Sequence, residues 1–201
     1  MVKRLIVNLG LLGILTIVTT SARAATNLPV VDSAALGNRR NLPWSEVVQI
    51  NDPFEGNFIG VFDRHYFNER FLNTRTQIEV QSLWSREFVR FLLMIRDRDC
   101  LSGSFPNNYS SGTNCSALNN TKNIIEMLIK INDEVLQVTG QNSTFIISDE
   151  FAQALQNAPK TTISIRLVTQ SGETIDSEIG QETVEAWKTL YTSQASTAQQ
   201  K

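Results

Sequence analysis

Residues Thr76–Asp99 read TQIEVQSLWSREFVRFLLMIRDRD, and whether they form one helix or two strands decides the architecture of this chain. On a helical wheel Val80, Leu83, Trp84, Phe88, Phe91, Met94 and Ile95 fall on one stripe. Gln81, Ser82, Ser85, Arg86, Arg90 and Arg96 fall opposite, the pattern of an amphipathic helix. Val89, Phe91, Leu93 and Ile95 also alternate as a strand would. The helical pattern covers more residues, so a helix is the expectation and a strand pair its rival.

Downstream, Cys100–Thr121 carries no charge, is heavy in Ser, Asn and Gly, and contains Pro106, which reads as a long loop. A disulfide between Cys100 and Cys115 would pin it, closing about 15 residues and contributing about 3 kcal/mol by restricting the unfolded chain. Upstream, Asn57–Phe62 places Phe58, Gly60 and Phe62 on one face and Ile59 and Val61 on the other. That is the signature of a strand buried on both sides.

The C-terminal half is more regular. Ile125, Met127, Ile129 and Ile131 alternate with polar residues, Asn132-Asp133 turns, and Glu134–Val138 returns as a hairpin. Ser148 is placed to cap a helix that Asp149 and Glu150 favour electrostatically and Pro159 ends. A second hairpin follows, with Ile163, Ile165 and Leu167 alternating before a Ser171-Gly172 turn. A last helix from about Gln181 to Tyr191 would bury Val184, Trp187 and Tyr191. The expected class is α+β: an antiparallel sheet built from hairpins with helices packed on it, the C-terminal half ordered hairpin, helix, hairpin, helix.

The N-terminus carries the most specific signal. Lys3 and Arg4 precede an uncharged apolar run from Leu5 to Val18, and Ala22-Arg23-Ala24 offers the small residues a signal peptidase accepts. The chain is thus expected to divide into a cleavable secretion signal over 1–24, a flexible lead-in over 25–42, one exported globular domain over 43–192 and a disordered tail over 193–201. Its destination would be periplasmic, lumenal or extracellular, where disulfides persist. The run is short for a membrane span, so no stable membrane insertion is expected after cleavage.

Cleavage removes Lys3, Arg4 and Arg23 from the 18 basic residues and none of the 20 acidic ones, leaving a net charge of −5. That balance argues against nucleic acid and anionic membrane surfaces as partners. Four Asn-x-Ser/Thr sequons, at Asn108, Asn114, Asn119 and Asn142, match the count of about 3 that chance gives.

Asp63-Arg-His-Tyr-Phe-Asn-Glu-Arg70 concentrates the chemistry-bearing side chains. On a strand, Asp63 and His65 share a face, the placement in which a carboxylate orients a general base. Asp97 and Asp99 form a carboxylate pair, although alternation with arginine neutralises them locally. No nucleophile elbow, phosphate loop or metal motif accompanies either set, so no cofactor and no metal are expected. Phe105 and Tyr109, among small polar residues in the stapled loop, are candidate binding residues. The reading that results is non-catalytic binding of a protein partner or envelope component. An exported hydrolase using His65 with Asp63, or a carboxylate pair, is the alternative.

Overall fold

A computed structural model describes residues 28–37, 41–71, 74–101 and 114–192; over 69–71, 74–75, 97–101 and 114–119 it describes the backbone only. The signal at 1–24, the tail at 193–201 and the loop residues Phe105 and Tyr109 therefore lie outside the described residues or side chains. The architecture is α+β.

Where a helix was expected over Thr76–Asp99, the chain forms two strands, β4 (Thr74–Ser85) and β5 (Phe88–Leu101). Leu83 and Trp84 are neighbours in sequence and point to opposite faces, yet both are 0% exposed. Gln81 and Ser82 are likewise both buried. Burial on two sides erases the apolar–polar alternation of a strand, and the residual pattern mimics a helical stripe. At the turn, Ser85 Oγ accepts from the Phe88 amide at 3.0 Å and donates to the Phe88 carbonyl at 2.9 Å.

These strands belong to an antiparallel run of β2 (Val47–Asp52), β3 (Gly56–Phe71), β4, β5 and β6 (Asn114–Lys122). A short β1 (Val30–Val31) lies parallel to β2 at one edge. The expected loop over Cys100–Thr121 is thus strand from Asn114 onward. Its polar sequence misled because β6 ends the sheet, and polar residues are well tolerated on an edge strand.

The second sheet has the order β11 (Thr174–Ile179), β10 (Ile163–Thr169), β7 (Ile124–Ile131), β8 (Glu134–Thr139). Asn132 and Asp133 turn the β7–β8 hairpin at φ 50° and 66°, the left-handed pair that matches strand twist. Between this hairpin and the first helix, β9 (Thr144–Ile146) crosses to pair with the start of β5. The helices are α1 (Asp149–Gln156), capped by Ser148 Oγ accepting from the Phe151 amide at 3.2 Å, and α2 (Gln181–Thr192).

The inner faces of both sheets and the two helices share one core. Trp84 meets Trp187 of α2 with ring centroids 4.5 Å apart, and Phe91 packs edge-on to Trp84 and Phe145. Tyr191 donates its hydroxyl proton to the Ser85 carbonyl at 3.0 Å.

A smaller core covers the other face of the first sheet. Val31, Ala34 and Leu42 pack there on Val48, Ile50, Phe62 and Leu83. The lead-in expected to be flexible over 25–42 is therefore packed where it is described. The reason lies in Asp52, whose carboxylate accepts from the amides of Ala34 (2.7 Å), Phe54 (2.8 Å) and Glu55 (3.0 Å). Gly37 adds a two-way pairing with the Gln81 carboxamide, at 2.9 and 3.1 Å. Sequence periodicity cannot report such an attachment, because it runs through backbone amides.

The Ala34 and Phe54 amides hold the Asp52 carboxyl down from 3.8 to about 2. A depressed carboxyl stabilises the fold above its unfolded value and loses that contribution as pH falls through its folded value. Stability should therefore drop between about pH 3.8 and about pH 2. In Asp52→Asn this acid limb becomes shallower, as read from urea midpoints across that window.

Candidate functional site

β3 runs 16 residues, long enough to carry His65 to the place where its sheet meets β11 of the other. The inward phase of the strand includes Val61, Asp63, His65 and Phe67, opposite Trp84, Ser82, Val80 and Ile78 of β4. His65 Nδ1 lies 3.0 Å from Ser177 Oγ and accepts from the Glu178 amide at 3.3 Å. A backbone N–H only donates, so Nδ1 presents its lone pair and the ring proton sits on Nε2. The imidazole joins β3 to β11, with the Phe67 ring 5.5 Å away.

Beside this junction opens a cleft of about 550 Å³. Leu128 of β7 and Val135 of β8 supply its apolar surface, and Ser164, Lys130, Arg166, Asp176 and Glu178 its polar rim. Arg166 grips Asp176 across the strands through two contacts, Nε–Oδ1 at 2.5 Å and Nη2–Oδ2 at 2.8 Å. That fork holds the Asp176 carboxyl below its usual range. Lys130 pairs with Asp133 at 2.9 Å. Val135 is 56% exposed, an apolar side chain left uncovered at the rim.

Asp63, the expected partner of His65, is engaged elsewhere. It is buried, and its Oδ1 accepts from Thr183 Oγ1 at 2.5 Å while the Gly180 amide also donates to it. Gly180 and Thr183 flank the start of α2, so this carboxylate caps the helix, where negative charge is favoured. Sharing a strand face did place Asp63 and His65 side by side in phase, but the capping groups claim the carboxylate.

Burial nonetheless pushes the Asp63 carboxyl above 3.8. A raised carboxyl holds its proton longer in the folded chain, so its contribution is full below the unfolded value and is lost as pH rises through the folded value. Asp63→Asn removes this titration while keeping an acceptor for Thr183. Its melting temperature relative to wild type should therefore increase as pH rises above 3.8.

Ser177 escaped sequence reasoning, although a signal was present. It occupies the inward phase of β11 with Ile179, where an apolar residue would be expected. For Asp97 and Asp99 only the backbone is described. The ladder sets them opposite Leu118 and Ser116 of β6. The same ladder sets Cys100 opposite Cys115. Among the described residues no three potential metal-ligating side chains gather, and no helix is long and apolar enough to cross a membrane. Comparison with protein-family models, with curated proteins and with solved structures returned no match.

Proposed function

We propose that this chain is an exported, non-catalytic binding domain for a protein partner or envelope component, and that the partner docks in the cleft beside His65. The observation that carries this reading is the cleft itself: Leu128 and exposed Val135 inside a rim where Lys130, Arg166 and Asp176 are already paired. Apolar surface with a few convergent polar groups is the usual composition of a binding site.

The same geometry weighs against a general base at His65. Its Nδ1 already takes the Glu178 amide, and Asp63 is held by Thr183 and Gly180. One observation favours the hydrolase reading, the 3.0 Å approach of Ser177 Oγ to His65 Nδ1. Ser177 is only 4% exposed, however, which leaves a substrate little access to it. A panel of ester, amide and glycoside substrates separates the two. The binding reading predicts background rates for wild type, His65→Ala and Ser177→Ala alike. A wild-type rate abolished in both folded variants overturns it.

Export and the disulfide belong to the same proposal. Directly opposite residues in an antiparallel pair have Cα atoms about 4.5–5.5 Å apart, inside the range a disulfide spans. The register of Cys100 and Cys115 therefore supports a bridge. A thiol assay on the denatured, unreduced protein should find no reactive thiol, and N-terminal sequencing of the exported protein should begin at Ala25. Two reactive thiols would remove the bridge from the account.

A further inference from the structure

We infer that the free edge of β8 pairs with β8 of a second copy of this chain, antiparallel about a two-fold axis at Gln137, so that two four-stranded sheets become one. The inference goes beyond the cleft and does not depend on it.

β8 ends the second sheet, and no described strand pairs with its other side. The Gly140 amide donates to the Ile125 carbonyl at 2.8 Å, which fixes the phase of the ladder. Hydrogen-bonded and non-hydrogen-bonded pairs alternate along an antiparallel ladder, so Glu134, Leu136 and Val138 turn their backbone groups to β7. Val135, Gln137 and Thr139 turn theirs outward, where no described strand receives them. The opposite edge of the sheet is answered, since the Glu178 amide of β11 meets His65 Nδ1 at 3.3 Å. Edge strands are ordinarily protected by proline, lysine, a bulge or brevity. β8 runs six residues in unbroken register with β7, without proline or lysine, and leaves Val135 56% exposed.

Self-complementarity selects a second copy as the occupant. The outward groups are spaced evenly about Gln137, so a two-fold axis there sets Gln137 opposite itself and Val135 opposite Thr139. Every outward amide and carbonyl of the strand then finds a counterpart. An axis at Val135 or Thr139 would instead run some of these groups past the end of the strand. The Gln137 register also brings half-buried Leu136 and Val138, packed on the main core, against Val138 and Leu136 of the other copy. Cross-strand apolar pairs of this kind stabilise a sheet. Glu134 is the one charged residue of the strand, and it falls opposite Gly140, away from its own counterpart. Pairing uses the plane of the sheet and leaves the face that carries Leu128, Lys130 and Arg166 of the cleft uncovered. One shared strand pair buries less than a standard interface, so a micromolar dimer is expected.

Sedimentation of the folded exported protein between about 1 and about 200 µM should show the mass rising from one chain toward two. Hydrogen exchange on wild type reads the register. The amides of Val135, Gln137 and Thr139 should exchange more slowly at the higher concentration, while those of Leu136 and Val138 stay slow at both. Gln137→Lys places an ammonium where Gln137 Nε2 already donates to Glu126, which keeps the fold, and sets like charges opposite each other at the axis. Gln137→Pro removes an outward amide that the β7 ladder does not use. Each variant should weaken dimerisation at least about tenfold while keeping the wild-type circular dichroism. Dimerisation of both folded variants at wild-type strength overturns the inference. So does fast exchange of the three outward amides in the dimer, a result that decides the matter even where a variant unfolds. A wild type that stays monomeric overturns it too, including one that captures another protein's strand on this edge. Because mass is read with no partner present, that last outcome leaves the binding-domain reading standing.

Discussion

Trp187→Ala lowers the unfolding free energy by about 3–5 kcal/mol, the largest single effect expected in this chain. Trp187 is fully buried on α2, its ring tilted at 56° to Trp84 with centroids 4.5 Å apart. It is the point where the C-terminal helix meets the strand pair that sequence periodicity misassigned. Truncation removes that contact and leaves a cavity bounded by two sheets whose hydrogen-bond ladders resist collapse. The indole N–H has no partner among the described residues, so Trp187→Phe forfeits ring volume but no hydrogen bond. It should cost clearly less than alanine. Urea unfolding followed by circular dichroism checks both, and equal losses would show that the site tolerates collapse.

Gly140→Ala costs about 1–3 kcal/mol, at the upper end of that range. Gly140 donates to the Ile125 carbonyl at 2.8 Å as the chain leaves β8 to cross to the first sheet. A Cβ there would sit 2.5 Å from the Thr144 carbonyl oxygen and 2.6 Å from Cδ1 of Phe145. Neither neighbour yields easily: one is backbone, and the other is a fully buried ring stacked edge-on to Phe91. Gly56→Ala makes the comparison, since its φ of +86° strains alanine but no atom lies within 4 Å of a new Cβ. That loss should stay near 1 kcal/mol, the cost of the left-handed backbone. A Gly140→Ala protein that melts with wild type would contradict the packing described for the β8–β9 crossing.

How much of this was legible depended on whether a segment has one wet face. β7–β8 and β10–β11 alternate because their outer faces meet solvent, and Asn132-Asp133 and Gly172 mark their turns through left-handed φ values. The helices were legible through Ser148 and through Val184, Trp187 and Tyr191, which all lie buried. β4 was not, because Val31, Ala34, Leu42 and the Gly37 backbone cover its outer face, where Leu83 and Gln81 lie buried as thoroughly as Trp84 and Ser82. That cover is held by the Ala34 amide reaching Asp52, a carboxylate no hydrophobic pattern singles out. At the site, His65 and Asp63 were found, but their pairing was not. Thr183 and Gly180 arrive from more than a hundred residues away to take the carboxylate, and Ser177 arrives likewise at the imidazole. Contacts at such separation leave no trace in local spacing.

The central functional claim is that a partner occupies the cleft beside His65. A photo-crosslinking residue placed at Val135, at the cleft rim, tests it in the native envelope, with the same residue at Phe54, 94% exposed and distant in the fold, as control. The account predicts a discrete adduct from position 135 that is absent from position 54 and is lost when Leu128→Glu alters the cleft surface. No adduct at 135 from protein shown to be folded, or the same adducts from both positions, would contradict it.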